Sequence, residues 1–252
     1  MNLTLEAMEK LGCLVPRNPA SQAVKVILKL RKLRKNKNVL ELDQVLGLPL
    51  MSDPTMIEIM KLMEKVATYA FCSQSSMMFI LTSLYGLKWS LRHGLNEETP
   101  SLSFTIIGLV LMHVLEDWET GRQCAETALT VLSKLQKQHR VAMTIFVAHT
   151  FVLCWTNPWR SRTRLFMEGY EKGMQVGDTE FATHNLGSYL FSLLVCGKNL
   201  SAVEEEFRIF VPLIETLKNY EQSGWVRIYW QTALNLIGKS DNTTILSGNA
   251  MD

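Results

Sequence analysis

The stretch FTIIGLVLMHVL, residues 104–115, decides the fold, because a second stretch, FATHNLGSYLFSLL at 181–194, follows the same plan. Each is an apolar run with a glycine inside it, Gly108 in the first and Gly187 in the second. Each ends at a turn signal, Glu116-Asp117 or Cys196-Gly197-Lys198, and leads into an amphipathic stretch, 120–135 or 200–217. Between them lies a third unit: residues 140–155, the breaker Asn157-Pro158, and a helical segment ending at Gly177-Asp178. Helix pairs recurring about every 40 residues mark a solenoid, whose units bury their apolar faces only against neighbours.

Outward from these runs, helical spacing persists. Ala125, Ala128, Leu129, Leu132 and Leu135 recur on one face, and so do Val203, Phe207, Val211 and Ile214. Pro212 conflicts with its surroundings and predicts a kink or break. Upstream, a helix closes at Gly12, a second spans about 21–35, and a short one ends at Leu46. Ser52-Asp53-Pro54 opens a fourth with an oxygen-bearing cap and a first-turn proline. A fifth runs over 76–92 and closes at His93-Gly94. No segment alternates with period two for long enough to form a strand. The expected fold is all-α, a tetratricopeptide-like α-solenoid of antiparallel helix pairs. It divides into N-terminal helical units over 1–98 and helix-pair repeats over 99–239, continuous as one array, with a fraying polar tail over 240–252. Small residues (Ala125, Ala128, Gly169, Ala182 and Gly187) are expected where helices cross.

Composition narrows the class. Apolar residues make up 47% and charged residues 20%, which supplies a core and argues against disorder. The net charge of +2 is too balanced to argue by itself for nucleic acid or an acidic surface. Five scattered cysteines with no CxxC point to a reducing, cytoplasmic setting rather than disulfides or zinc. Glu6, Glu9 and Lys10 interrupt any secretory signal, and the uncharged run at 99–115 contains Pro100 and is too short to span a membrane.

Candidate chemistry is sparse. Residues 233–240 satisfy a relaxed phosphate-loop pattern ending in Gly238-Lys239-Ser240. Such a loop must follow a strand and open a helix; here a helix precedes it, so Gly238 reads as a C-cap with Lys239 at the negative end of the dipole. A nucleotide-binding enzyme fragment using these residues is the alternative function. The basic run over 25–37 could grip phosphates or an anionic surface, and a basic nucleic-acid binder is the third reading. The same helix offers Val24, Ile27, Leu28 and Leu30 as an apolar face, which makes the charges its solvated side. His93, His113, His139, His149 and His184 are isolated, with His113 and His149 expected as hydrogen-bonded core residues. Glu204-Glu205-Glu206 reads as a helix first turn. No catalytic residue, metal site or cofactor is expected. Tryptophan often anchors interfaces, so the candidate interaction residues are Trp89, Trp118, Trp155, Trp159 and Trp230.

Several motifs carry a resemblance when taken in order. They are Leu11-Gly12 with Pro16 and Pro19; Leu48-Pro49-Leu50-Met51-Ser52-Asp53-Pro54; Trp155-Thr156-Asn157-Pro158; Gly169-Tyr170-Glu171-Lys172-Gly173; Gly177-Asp178-Thr179-Glu180-Phe181-Ala182; and residues 227–238. Over about residues 5–248 the chain resembles the tetratricopeptide-like region of large hybrid signalling proteins. In those proteins the region lies between an AAA/STAND-type ATPase and GAF and histidine-kinase modules, behind an N-terminal serine/threonine kinase-like domain. The resemblance implies a scaffold or signal-relay module that binds a protein or ligand and regulates an adjoining ATPase or kinase. It carries over no kinase or ATPase activity, because no family catalytic residue has a matching position. Leu3, Leu5, Met8 and Leu11 look like half of a helix pair without its partner, and 225–237 like an apolar last helix without a polar cap. More protein on at least one side is therefore expected, or else self-association through the end helices.

Overall fold

The computed structural model describes residues 1–96, 102–134 and 140–251. Pro100, Leu135, His139 and the expected boundary at 98/99 lie outside them. Every regular element among the described residues is helical apart from one isolated bridge between Leu50 and Leu95. The chain forms two compact units, 1–137 and 138–252.

The first unit holds α1 (Asn2–Lys10), α2 (Pro19–Lys35), a 3-10 turn (Lys37–Leu40), α3 (Leu42–Leu46), α4 (Pro54–Cys72), α5 (Ser76–His93), α6 (Leu102–Leu115) and α7 (Trp118–Lys134). Asp53 caps α4, its Oδ1 accepting from the Thr55 and Met56 amides at 2.9 and 3.4 Å. α4 pairs with α5 and α6 with α7, while α1 packs on α4 and α2 on α5. Thus α1 has its partner: Leu5 and Met8 are buried in the core, and only Leu3 and Leu11 of its apolar set face water.

The face of α2 is a second correction. Gln22, Val26, Leu30 and Leu33 are buried, whereas Val24, Ile27 and Leu28 are exposed at 57, 49 and 59%. Gln22 can point inward because its Nε2 donates to the Pro16 and Arg17 carbonyls, which satisfies it without water. His113 is also on the outside, edge-on to the exposed Trp118 ring, not in the core.

The second unit holds α8 (Val141–Val147), a π turn (Ala148–Val152), a 3-10 turn (Leu153–Trp155), α9 (Trp159–Val176), α10 (Thr179–Val195), α11 (Leu200–Thr216) and α12 (Tyr220–Leu236). α11 continues unbroken through Pro212. Pro212 and Arg208 both lie on its exposed side, so water can take the carbonyl that loses its amide partner. The Glu204-Glu205-Glu206 triplet sits beyond the first turn of α11; Glu204 pairs with Lys239 and Glu206 accepts from the Tyr189 hydroxyl. α12 starts earlier than its apolar pattern suggests, because the Asn219 side chain caps it through the Gln222 amide. The tail bonds back to α12: Gln231 Oε1 accepts from the amide of the buried Ala250, and Asn235 donates to the Ile245 carbonyl.

Small residues do mark the crossings. A Cβ on Gly108 of α6 would lie 2.7 Å from the Gly121 carbonyl oxygen of α7. One on Gly173 of α9 would meet Ala182 of α10 at 2.9 Å and Ala142 of α8 at 3.0 Å. Gly187 of α10 leaves room for Gln222 of α12. At Gly108 the neighbour is backbone, while at Gly173 and Gly187 the missing side chain makes room for alanine methyls and for the Gln222 amide.

Candidate interaction site

The most chemically unusual place among the described residues is the break between α8 and α9. Here the α-helical ladder slips into a π turn, with the Leu153 amide reaching back to the Ala148 carbonyl. The cause is a side chain from the next helix. Arg162, on the second turn of α9, is buried and donates its Nη1 to the His149 carbonyl. Insertion of a donor into a helix ladder is a recognised origin of such bulges. The Arg162 guanidinium also lies 4.0 Å above the Trp159 ring, an interaction that stabilises a cation removed from water. Arg162 Nη2, His149 Nδ1 and Thr150 Oγ1 are buried without a hydrogen-bond partner among the described residues.

Charge states follow from that environment. Burial pushes the His149 imidazole down to about 4, with the neighbouring Arg162 charge adding to the effect and Glu168 opposing it. Burial raises the Cys154 thiol while Arg162 pulls it the other way. With His149 neutral and Cys154 protonated at neutral pH, the charge held on the turn's own carbonyl is that of Arg162. Its chemistry is that of a clamp: it fixes the π turn and thereby fixes where the following residues emerge. The residue that emerges is Trp155, exposed at 61%.

The five tryptophans differ in exposure and in what they touch. Trp89 packs against the first unit's core and lies 5.4 Å from the Tyr85 ring. Trp118 is exposed at 44%. Trp159 is half-buried under Arg162 and against Phe166 and Phe191. Trp230 packs on the second unit's core, its Nε1 buried without a hydrogen-bond partner among the described residues. Trp225 stands out at 54% exposure on α12, and was not among the sequence candidates. Spacing could have found it, since Gln222, Val226 and Ala233 form the buried stripe and leave position 225 outside.

Comparison with protein-family models, with curated proteins and with solved structures finds no match to this chain.

The remaining candidates resolve structurally. At Gly238-Lys239-Ser240, Gly238 adopts φ +74 and terminates α12. The Gly238 and Lys239 amides donate to the Asn235 and Leu234 carbonyls, so they point into the helix end and not toward a ligand. No group of three or more His, Cys, Asp or Glu among the described residues is placed to hold a metal ion. A cavity of about 30 Å³ between α4, α5 and α6, lined by Met63, Thr82, Ser83 and Ser103 among others, has room for about one or two waters. Among the described residues no helix is long and apolar enough to cross a membrane.

Proposed function

We propose that the chain is a non-catalytic interaction and signal-relay module of tetratricopeptide-like solenoid type. It binds a protein or peptide partner and biases an adjoining ATPase or kinase between inactive and active arrangements. The observation that carries this reading is the packing order of the second unit. α10 lies against α8 and α12 as well as against its sequence neighbours α9 and α11. That order suits two rows, α8-α10-α12 in one and α9-α11 in the other, as stacked helix pairs require. Two of the ordered motifs fall at helix junctions and support it too: Asp53-Pro54 opens α4, and Gly177-Asp178 closes α9 and caps α10. Free thiols at all five cysteines are in keeping with a reducing cytoplasmic setting, which belongs to the same proposal.

Trp155 is the recognition residue of choice, being a large apolar ring held outward by a fixed turn. The test is a peptide-display selection on the whole chain, followed by calorimetric titration of the best peptide. Trp155→Ala is expected to weaken binding by at least tenfold, the loss of one anchor side chain, with the circular dichroism spectrum unchanged. Failure to enrich any peptide, or an affinity indifferent to Trp155→Ala, would overturn the reading.

A further inference from the structure

We propose that α2 is a docking surface for an anionic lipid bilayer. The inference begins with the face that the packing leaves outside. Positions 24, 27, 28, 31 and 35 fall on one stripe of a helix, opposite the buried Gln22, Val26, Leu30 and Leu33. That outer stripe carries Val24, Ile27 and Leu28 in its first turns and Arg31 and Lys35 in its last. Lys32 and Arg34 flank it, and both are exposed, as are Arg31 and Lys35. These four cations make no ion pair among the described residues. Lys29 is different, because its ammonium rests 4.2 Å over the Tyr85 ring.

Charge complementarity selects the occupant. No Asp or Glu occurs between Glu9 and Glu41, so every charged side chain of α2 is a cation despite a near-neutral chain. Bases alone would suit any polyanion, but here they share a face with three aliphatic side chains. A bilayer rich in acidic lipid meets both needs. Its acyl boundary takes Val24, Ile27 and Leu28, while Arg31 and Lys35 extend their long stems up to the headgroup phosphates. A nucleic acid would leave the aliphatic residues at a polar boundary, and α2 has no aromatic residue on which bases could stack. An acidic polypeptide would cover them only by supplying a matching apolar cleft. The surface consists of residues of α2 alone and uses none of those at the Trp155 turn, so the two proposals are tested by different variants.

Co-sedimentation of the whole chain with vesicles tests this. Vesicles containing 30% phosphatidylserine should pull the chain down, pure phosphatidylcholine vesicles should not, and high salt should release it. Arg31→Gln with Lys35→Gln should lower partitioning about 30-fold, roughly fivefold for each cation near an anionic surface. Ile27→Asn with Leu28→Asn should also abolish it while retaining the helical circular dichroism spectrum. Equal binding to both vesicle types, or binding indifferent to both variant pairs, would overturn the proposal. So would capture by polyglutamate or duplex DNA in place of vesicles, or dimerisation through Ile27 and Leu28 with vesicles ignored.

Discussion

Gly108→Ala is expected to destabilise the protein by about 2 kcal/mol, although alanine is the better helix former by about 1 kcal/mol. The reversal comes from a backbone neighbour. The new Cβ would sit 2.7 Å from the Gly121 carbonyl oxygen and 3.3 Å from Cys124 Cβ. Neither can swing aside as a flexible side chain could, so α6 and α7 must separate and the apolar surface between them loosens. Gly224→Ala is the control. Gly224 lies inside α12 with nothing within 4 Å of an added Cβ, and alanine there should stabilise by roughly 0.5–1 kcal/mol. Urea unfolding followed at 222 nm separates the two. Stabilisation by Gly108→Ala would show that the crossing is not tight.

The second expected result concerns pH. His149 is held neutral in the folded protein, with its pKa down to about 4 against 6.5 in the unfolded chain. Between those values the unfolded state binds more protons than the folded one, so stability rises with pH. The contribution is fully present above pH 6.5 and is lost as pH falls toward 4, by roughly 3 kcal/mol in all. Asp178 works in the opposite sense, since burial raises its carboxyl above its ordinary value. The His149 share is therefore read as a difference between the wild type and His149→Gln. The variant should lose most of the slope between pH 6.5 and 4; parallel curves for the two proteins would contradict the burial of a neutral imidazole.

Much of the fold was legible because helix periodicity, caps and breakers are local. The opening of α4 at Asp53-Pro54 and the closure of α12 at Gly238 both follow from two or three residues acting on their own backbone. Gly169 and Gly187 were legible as crossings, whereas Gly108 was legible only as the mark of a repeated apolar run and Gly173 not at all. What was not legible depends on residues distant in sequence. Periodicity shows that α2 has apolar residues on more than one side, but which side packs is decided by α5 and by carbonyls at Pro16 and Arg17 that satisfy a buried glutamine. The same holds for His113, whose run is apolar on nearly every side yet presents one stripe to water. The π turn is harder still. Nothing in residues 148–152 requires it, because the donor that holds the His149 carbonyl comes from Arg162. With it went the prominence of Trp155, one name among five in the sequence and the most exposed of the five in the structure.

Hydrogen exchange on the whole chain, with and without a selected peptide ligand, tests most directly whether the second unit recognises a partner through the turn that Arg162 fixes. The account expects slowed exchange concentrated over residues 148–162, and its loss in Trp155→Ala. Protection confined to other helices, with 148–162 unchanged on saturation by the peptide, would contradict it.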